Sequence, residues 1–211
     1  MGLKAWFDLK AKFQTFSVQL GMRAEEEGAI MQDALMVVDI HSDGAIDAGG
    51  GTTQCIVDGI ADEYSFEVDD MVSVYWNAGA NVIHGWISEM NPIAATDPYA
   101  VTIDSYSGNF PAGETAVTIV QQTEIAAEFD GDNLAALAAS CSEAASLNFV
   151  DGTTLQLATV ELTAGLPWSW IEGMGYTNPF AGKTVDKIGF VQYNPAGTEL
   201  CKLALLHDNV T

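Results

Sequence analysis

Residues 71–90 read MVSVYWNAGANVIHGWISEM. β-Branched and aromatic residues crowd both sides of Ala78-Gly79-Ala80-Asn81, the pattern of two strands joined by a turn. The same texture extends outward through TTQCIV (52–57), YSFEV (64–68), YAVTIDSY (99–106) and TAVTIVQQTEI (115–125). Turn chemistry separates these segments at Asp58-Gly59, Asp69-Asp70, Asn91-Pro92 and from Gly108 to Gly113. About six short strands at this spacing predict an antiparallel meander that closes into a small barrel or sandwich.

Beyond the meander, Asp130-Gly131-Asp132 offers N-cap residues for a helix from Asn133 to Ala145, with Leu134, Leu137, Ala138 and Cys141 on one stripe. Asp151-Gly152 between LNFV and TTLQLATVEL is a type I′ hairpin signal. Two more strands, KIGFVQY (187–193) and ELCKLALLH (199–207), surround Asn194-Pro195-Ala196-Gly197 and read as a further hairpin. Upstream, Ile30, Met31, Leu35 and Val38 recur at helical spacing, which predicts a helix over Ala24–Val37 whose acidic first turn, Glu25 to Glu27, suits the helix dipole. The glycine-rich stretch Ser42 to Gly51 reads as a loop. Residues 1–23 read as an arm: Phe13, Phe16, Val18 and Leu20 fit an extended segment, while Leu3, Phe7 and Lys10 fit a short helix.

The expected fold is therefore mainly β with minor α. It comprises a small antiparallel barrel or sandwich of SH3-like, OB-like or jelly-roll-like type, an N-terminal arm and one or two helices. The expected division is 1–51 (basic arm, helix and glycine-rich loop), 52–128 (meander or barrel) and 129–211 (helix and C-terminal hairpins packed on the barrel). From Val68 to Val120 an acidic turn, a VxVxW strand, a hairpin and a GWI strand follow one another. That order resembles SH3-like and OB-like barrels, which host many unrelated functions and so imply no activity.

Charge is segregated along the chain. Residues 1–23 carry +3, residues 24–182 carry −25 with no Lys or Arg among them, and residues 183–211 are neutral, together the net −22. An acidic body repels polyanions, so it excludes nucleic acid and anionic membrane as its partners. The low Lys count and acid excess also suit saline surroundings, where self-repulsion is screened. The first residues, MGLKAWFDLKAKFQTF, lack a continuous apolar run, which predicts a cytoplasmic start. No window approaches the ~20 apolar residues of a membrane span. Cys55, Cys141 and Cys201 are widely spaced and odd in number, so they read as buried thiols.

Catalytic signatures are missing. There is no GxSxG, HExxH, GxxxxGK[ST] or GxGxxG, and His41, His84 and His207 have no zinc spacing, so they read as structural. Asp39 to Asp47 partly matches a calcium loop, but His41 stands at its third position and Gly50 at its twelfth, so it reads as a solvated acidic turn. No cofactor or metal is expected, nor an enzyme, although an acid pair for glycoside hydrolysis is beyond the reach of sequence.

The segment LPWSWIEGMGYTNPF (166–180) concentrates aromatic side chains. Trp168, Trp170 and Phe180, with Leu166 and Ile171, are expected either to anchor a subunit contact or to lie in the core; with Tyr176 they would alternatively form a sugar-stacking platform. Trp76 and Trp86 fall in strands and read as core. In the arm, Lys4, Lys10, Lys12 and Arg23, with Trp6, Phe7, Phe13 and Phe16, are expected to act between subunits.

Basic arm, Gly/Thr-rich meander, Ala-rich helix, aromatic loop and strong acidity together resemble structural proteins of bacteriophages and other prokaryotic virions. The resemblance implies a capsid, capsid-decorating or tail component, made in the host cytoplasm and located in the virion. It implies a homo-oligomer that also meets other virion proteins, with no nucleic acid contact by the acidic body and no membrane. The alternative class is a carbohydrate-binding or adhesion module using the Trp168–Phe180 loop.

Overall fold

A computed structural model describes residues 6–12, 17–23, 29–37, 41–48, 51–60, 66–92, 99–106, 108–112, 115–152, 155–192 and 198–207. In chain order the strands are β1 (Trp6–Lys12), β2 (Ser17–Arg23), β3 (Ala29–Val37), β4 (His41–Ala48), β5 (Gln54–Asp58), β6 (Met71–Trp76), β7 (Asn81–Met90) and β8 (Val101–Ser105). They continue as β9 (Thr115–Gln121), β10 (Thr123–Asp130), β11 (Leu134–Cys141), β12 (Ala145–Asp151), β13 (Leu155–Leu162), β14 (Trp168–Ile171), β15 (Thr184–Val191) and β16 (Thr198–His207).

The meander closes as an antiparallel barrel in the order β4-β5-β8-β7-β6-β9. Alternation sends Cys55, Val57, Val72, Val74, Ile87, Val101, Ile103, Val117 and Ile119 into one core, capped by Phe66 and Phe110. The connection from β6 to β7 holds Asn77, Ala78 and Gly79 at positive φ, where the sequence placed a turn. Gly85 on β7 lies against the Asp104 carbonyl of β8 so closely that a Cβ has no room there.

Two four-stranded antiparallel sheets form a sandwich: β10-β15-β12-β13 and β14-β11-β16-β3. Between them lie Leu137, Ala139, Trp170, Leu203 and Leu205 from one sheet and Phe129, Leu147, Phe149, Ile188 and Phe190 from the other. Phe180 completes this core, edge-on to Phe129 at 5.6 Å and tilted on Phe149 at 4.6 Å between ring centroids. A separate hairpin, β1-β2, belongs to neither sheet nor barrel.

Several expectations are corrected. Leu134–Cys141 is strand β11, not a helix: Asp130 caps a single 3-10 turn, Gly131–Asn133, by accepting a hydrogen bond from the Asp132 N–H at 3.0 Å, and the chain then extends. Ala29–Val37 is likewise a strand, paired along its length with β16, while residues 24–28 of the expected helix lie outside the described residues. In β11 nearly every residue is buried, so the period-two signal vanishes and the remaining apolar spacing mimics a helical stripe. His41–Ala48 is strand β4 rather than a loop, because pairing with β5 and β9 on both sides holds Gly44 in register opposite Val117. YSFEV forms no strand over its described residues; Phe66 is instead a buried plug.

Asp151-Gly152 does join two paired strands, but its register, Asp151 opposite Leu155, leaves three residues between them rather than two. β15 and β16 lie in different sheets, so they make no hairpin. Among the described residues no helix is long and apolar enough to cross a membrane.

Candidate assembly surface

The aromatic segment is mostly internal. Trp170 and Phe180 are buried in the sandwich core, and Trp168 is half-buried against it. Of the alternatives expected of these rings, Trp170 and Phe180 take the core and not a contact or platform: an inward position on short β14, which pairs with β11, turns Trp170 in, and Phe180 enters from the turn ahead of β15. What the segment exposes is Leu166 (59%), Met174 (61%) and Tyr176 (72%), beside β14 at the edge of its sheet. Of these, Leu166 and Tyr176 belong to the expected contact or platform and Met174 does not; burial within one segment is decided by partners the sequence does not name.

The arm is the hairpin β1-β2. Trp6, Phe7, Lys10 and Lys12 lie on β1 and Arg23 on β2, whereas Lys4, Phe13 and Phe16 lie outside the described residues. Register opposes Phe7 with Met22, Leu9 with Leu20 and Ala11 with Val18, so these six share one face. Trp6, Asp8, Lys10, Lys12 and Arg23 share the other. Neither alternative for the arm anticipated a two-faced ribbon, because it depends on cross-strand pairing.

Cations in the neutral tail are engaged inside the subunit. Lys187 pairs with Glu124 at 2.9 Å, and the Lys183 ammonium donates to the carbonyls of Pro179 and Leu157 at 3.3 and 3.4 Å.

A buried polar seam joins barrel to sandwich. Gln122 donates to the Val72 carbonyl at 3.0 Å and to Ser73 Oγ at 3.1 Å; Asn148 donates to Gln122 Oε1 at 3.1 Å, and Thr159 to Asn148 Oδ1 at 2.8 Å. Ser73 Oγ lies 2.8 Å from His84 Nδ1. A hydrogen bond joins these two atoms, its donor set by the imidazole tautomer. Burial lowers the His84 pKa from 6.5 to about 4. Gly189 of β15 faces this seam, where a Cβ would strike Gln122 and Met71. His84 thus has a structural place, while Gln122 and Asn148 went unnoticed; a polar residue within an otherwise β-forming run was their only signal.

Trp86 is half-buried with its ring centroid 5.3 Å from that of Tyr106, and Trp76 packs on the barrel core. Burial, then the Glu124 charge, raises the Tyr106 pKa. The buried Cys55 thiol is pushed up to about 12 by burial and by Asp104. Cys141 is disulfide-bonded, which corrects its reading as a thiol; the register sets Cys201 directly opposite. Such pairing is invisible in spacing along the chain. Asp43 and Asp47 lie on extended β4, which replaces the expected acidic turn. Among the described residues no group of His, Cys, Asp and Glu gathers as a metal site.

No family model, curated protein or solved structure matches the chain.

Proposed function

We propose that this chain is a non-enzymatic structural protein of a bacteriophage or related prokaryotic virus particle, a capsid, capsid-decorating or tail component that works by symmetric self-association. The observation that carries the reading is the location of the positive charge: it sits on a hairpin separate from every sheet of a body whose residues 24–182 hold −25. An oppositely charged ribbon outside the sheets of the body is suited to contacts between copies. The exposed trio Leu166, Met174 and Tyr176 beside edge strand β14 adds apolar area of the kind found at interfaces.

Electron microscopy of the purified full chain tests this proposal. Rings, tubes or shells of uniform size are expected at high concentration; particles no larger than one subunit at every concentration would overturn it.

A further inference from the structure

Five large hydrophobic side chains are exposed among the described residues: Val68, Tyr99, Leu166, Met174 and Tyr176. Three of them fall within the span from Leu166 to Tyr176, on either side of β14. Leu166 precedes the strand and Met174 and Tyr176 follow it, so they flank a four-residue segment that is roughly 13 Å long. β14 ends its sheet: in the order β14-β11-β16-β3 it has one partner among the described residues, β11. The Glu172 N–H donates to the Ala135 carbonyl at 2.9 Å, one step beyond the opposed pair Ile171 and Ala136. In an antiparallel ladder such bonds alternate, so Ser169 and Ile171 turn their N–H groups to the other, open side. An open strand edge with apolar side chains at both ends is a template for pairing with another chain.

Charge narrows the choice of occupant. Of the 25 carboxylates in residues 24–182, only Glu172 lies within residues 162–182. A cationic partner is drawn to the acidic remainder of the body, whereas another copy, with the same net −22, is repelled by that remainder and is best received where carboxylates are sparse. We propose that the open edge of β14, with Leu166, Met174 and Tyr176, is a docking surface, and that its occupant is the same edge of a second copy of this chain, antiparallel about a twofold axis. Such pairing sets Leu166 of each copy against Met174 or Tyr176 of the other, so the patch is its own complement. The inference rests on the self-association reading and supplies a second kind of contact beside the hairpin.

The test compares full-length variants with the wild type by sedimentation velocity and by thermal unfolding of the dilute monomer. Leu166→Glu/Tyr176→Glu should keep the monomer's melting temperature, because both side chains are exposed in the subunit, while raising the midpoint concentration of association by about tenfold or more. Leu166→Cys chains mixed with Met174→Cys chains should form a disulfide-linked dimer on mild oxidation faster than either variant does alone. If the wild type associates and the Glu variant associates at the same midpoint, or the mixed chains link no faster than the separate ones, the docking surface is wrong and the self-association reading survives. A wild type that stays monomeric at every concentration overturns both. Should the Glu variant unfold, Leu166→Ser/Tyr176→Ser decides: weakened association with retained fold supports the proposal, and unchanged association or a second loss of fold overturns it.

Discussion

Acid should loosen the seam between barrel and sandwich, and His84 sets the pH at which it does so. In the folded chain its pKa is about 4, against 6.5 for the free side chain. Between these values the unfolded chain binds a proton that the folded chain refuses, so the stability due to neutral His84 is fully present above pH 6.5 and is lost as the pH falls towards 4. At about 1.4 kcal/mol per pH unit the loss amounts to about 3 kcal/mol. The cause is burial, which strips a charged imidazolium of its hydration and so favours the neutral ring. Urea unfolding of the wild type and of His84→Gln, each at about pH 7.5 and pH 4.5, isolates the effect, because the carboxylates titrate alike in both. The wild type should lose roughly 2 to 3 kcal/mol more than the variant over that interval. Parallel losses would refute the assignment.

Trp170→Ala should cost about 3–5 kcal/mol of subunit stability by thermal or denaturant unfolding, because the ring fills the sandwich core; Tyr176→Ala, on the exposed rim, should change it by less than about 0.5 kcal/mol. Reducing agent should lower stability by about 2–4 kcal/mol in the wild type and should have no such effect on Cys141→Ser, which starts from the lowered value. Gly189→Ala should lower the melting temperature by pressing on Gln122 and Met71, whereas the same change at Gly59, which has open space but a positive φ, should cost only the smaller strain of that backbone.

Most of the barrel was legible because β-branched and aromatic runs stand between turn signals; β6 is buried on both faces and was readable from its residue types and the turn that follows Trp76, not from alternation. β11 was misread as a helix because both of its faces are covered; Leu134, Leu137, Ala138 and Cys141 are apolar for two different partners, and no one-dimensional pattern separates them. Gly44 looked like a loop residue because its conformational cost is local, while the pairing that offsets it comes from β5 and β9. At the candidate surface the charge segregation could be counted directly. Which aromatic side chains of residues 166–180 remain outside, and how β1 registers with β2, depended on contacts between distant segments.

The central claim is that the basic hairpin meets carboxylates of another copy. Zero-length carbodiimide cross-linking of assemblies mixed from unlabelled and nitrogen-15-labelled chains, read by mass spectrometry, tests it most directly. The account predicts mixed-isotope peptide pairs joining Lys10 or Lys12 to carboxylates between Glu25 and Glu172. Cross-links from these lysines that are exclusively of one isotope would place the contact within a single chain and contradict the account.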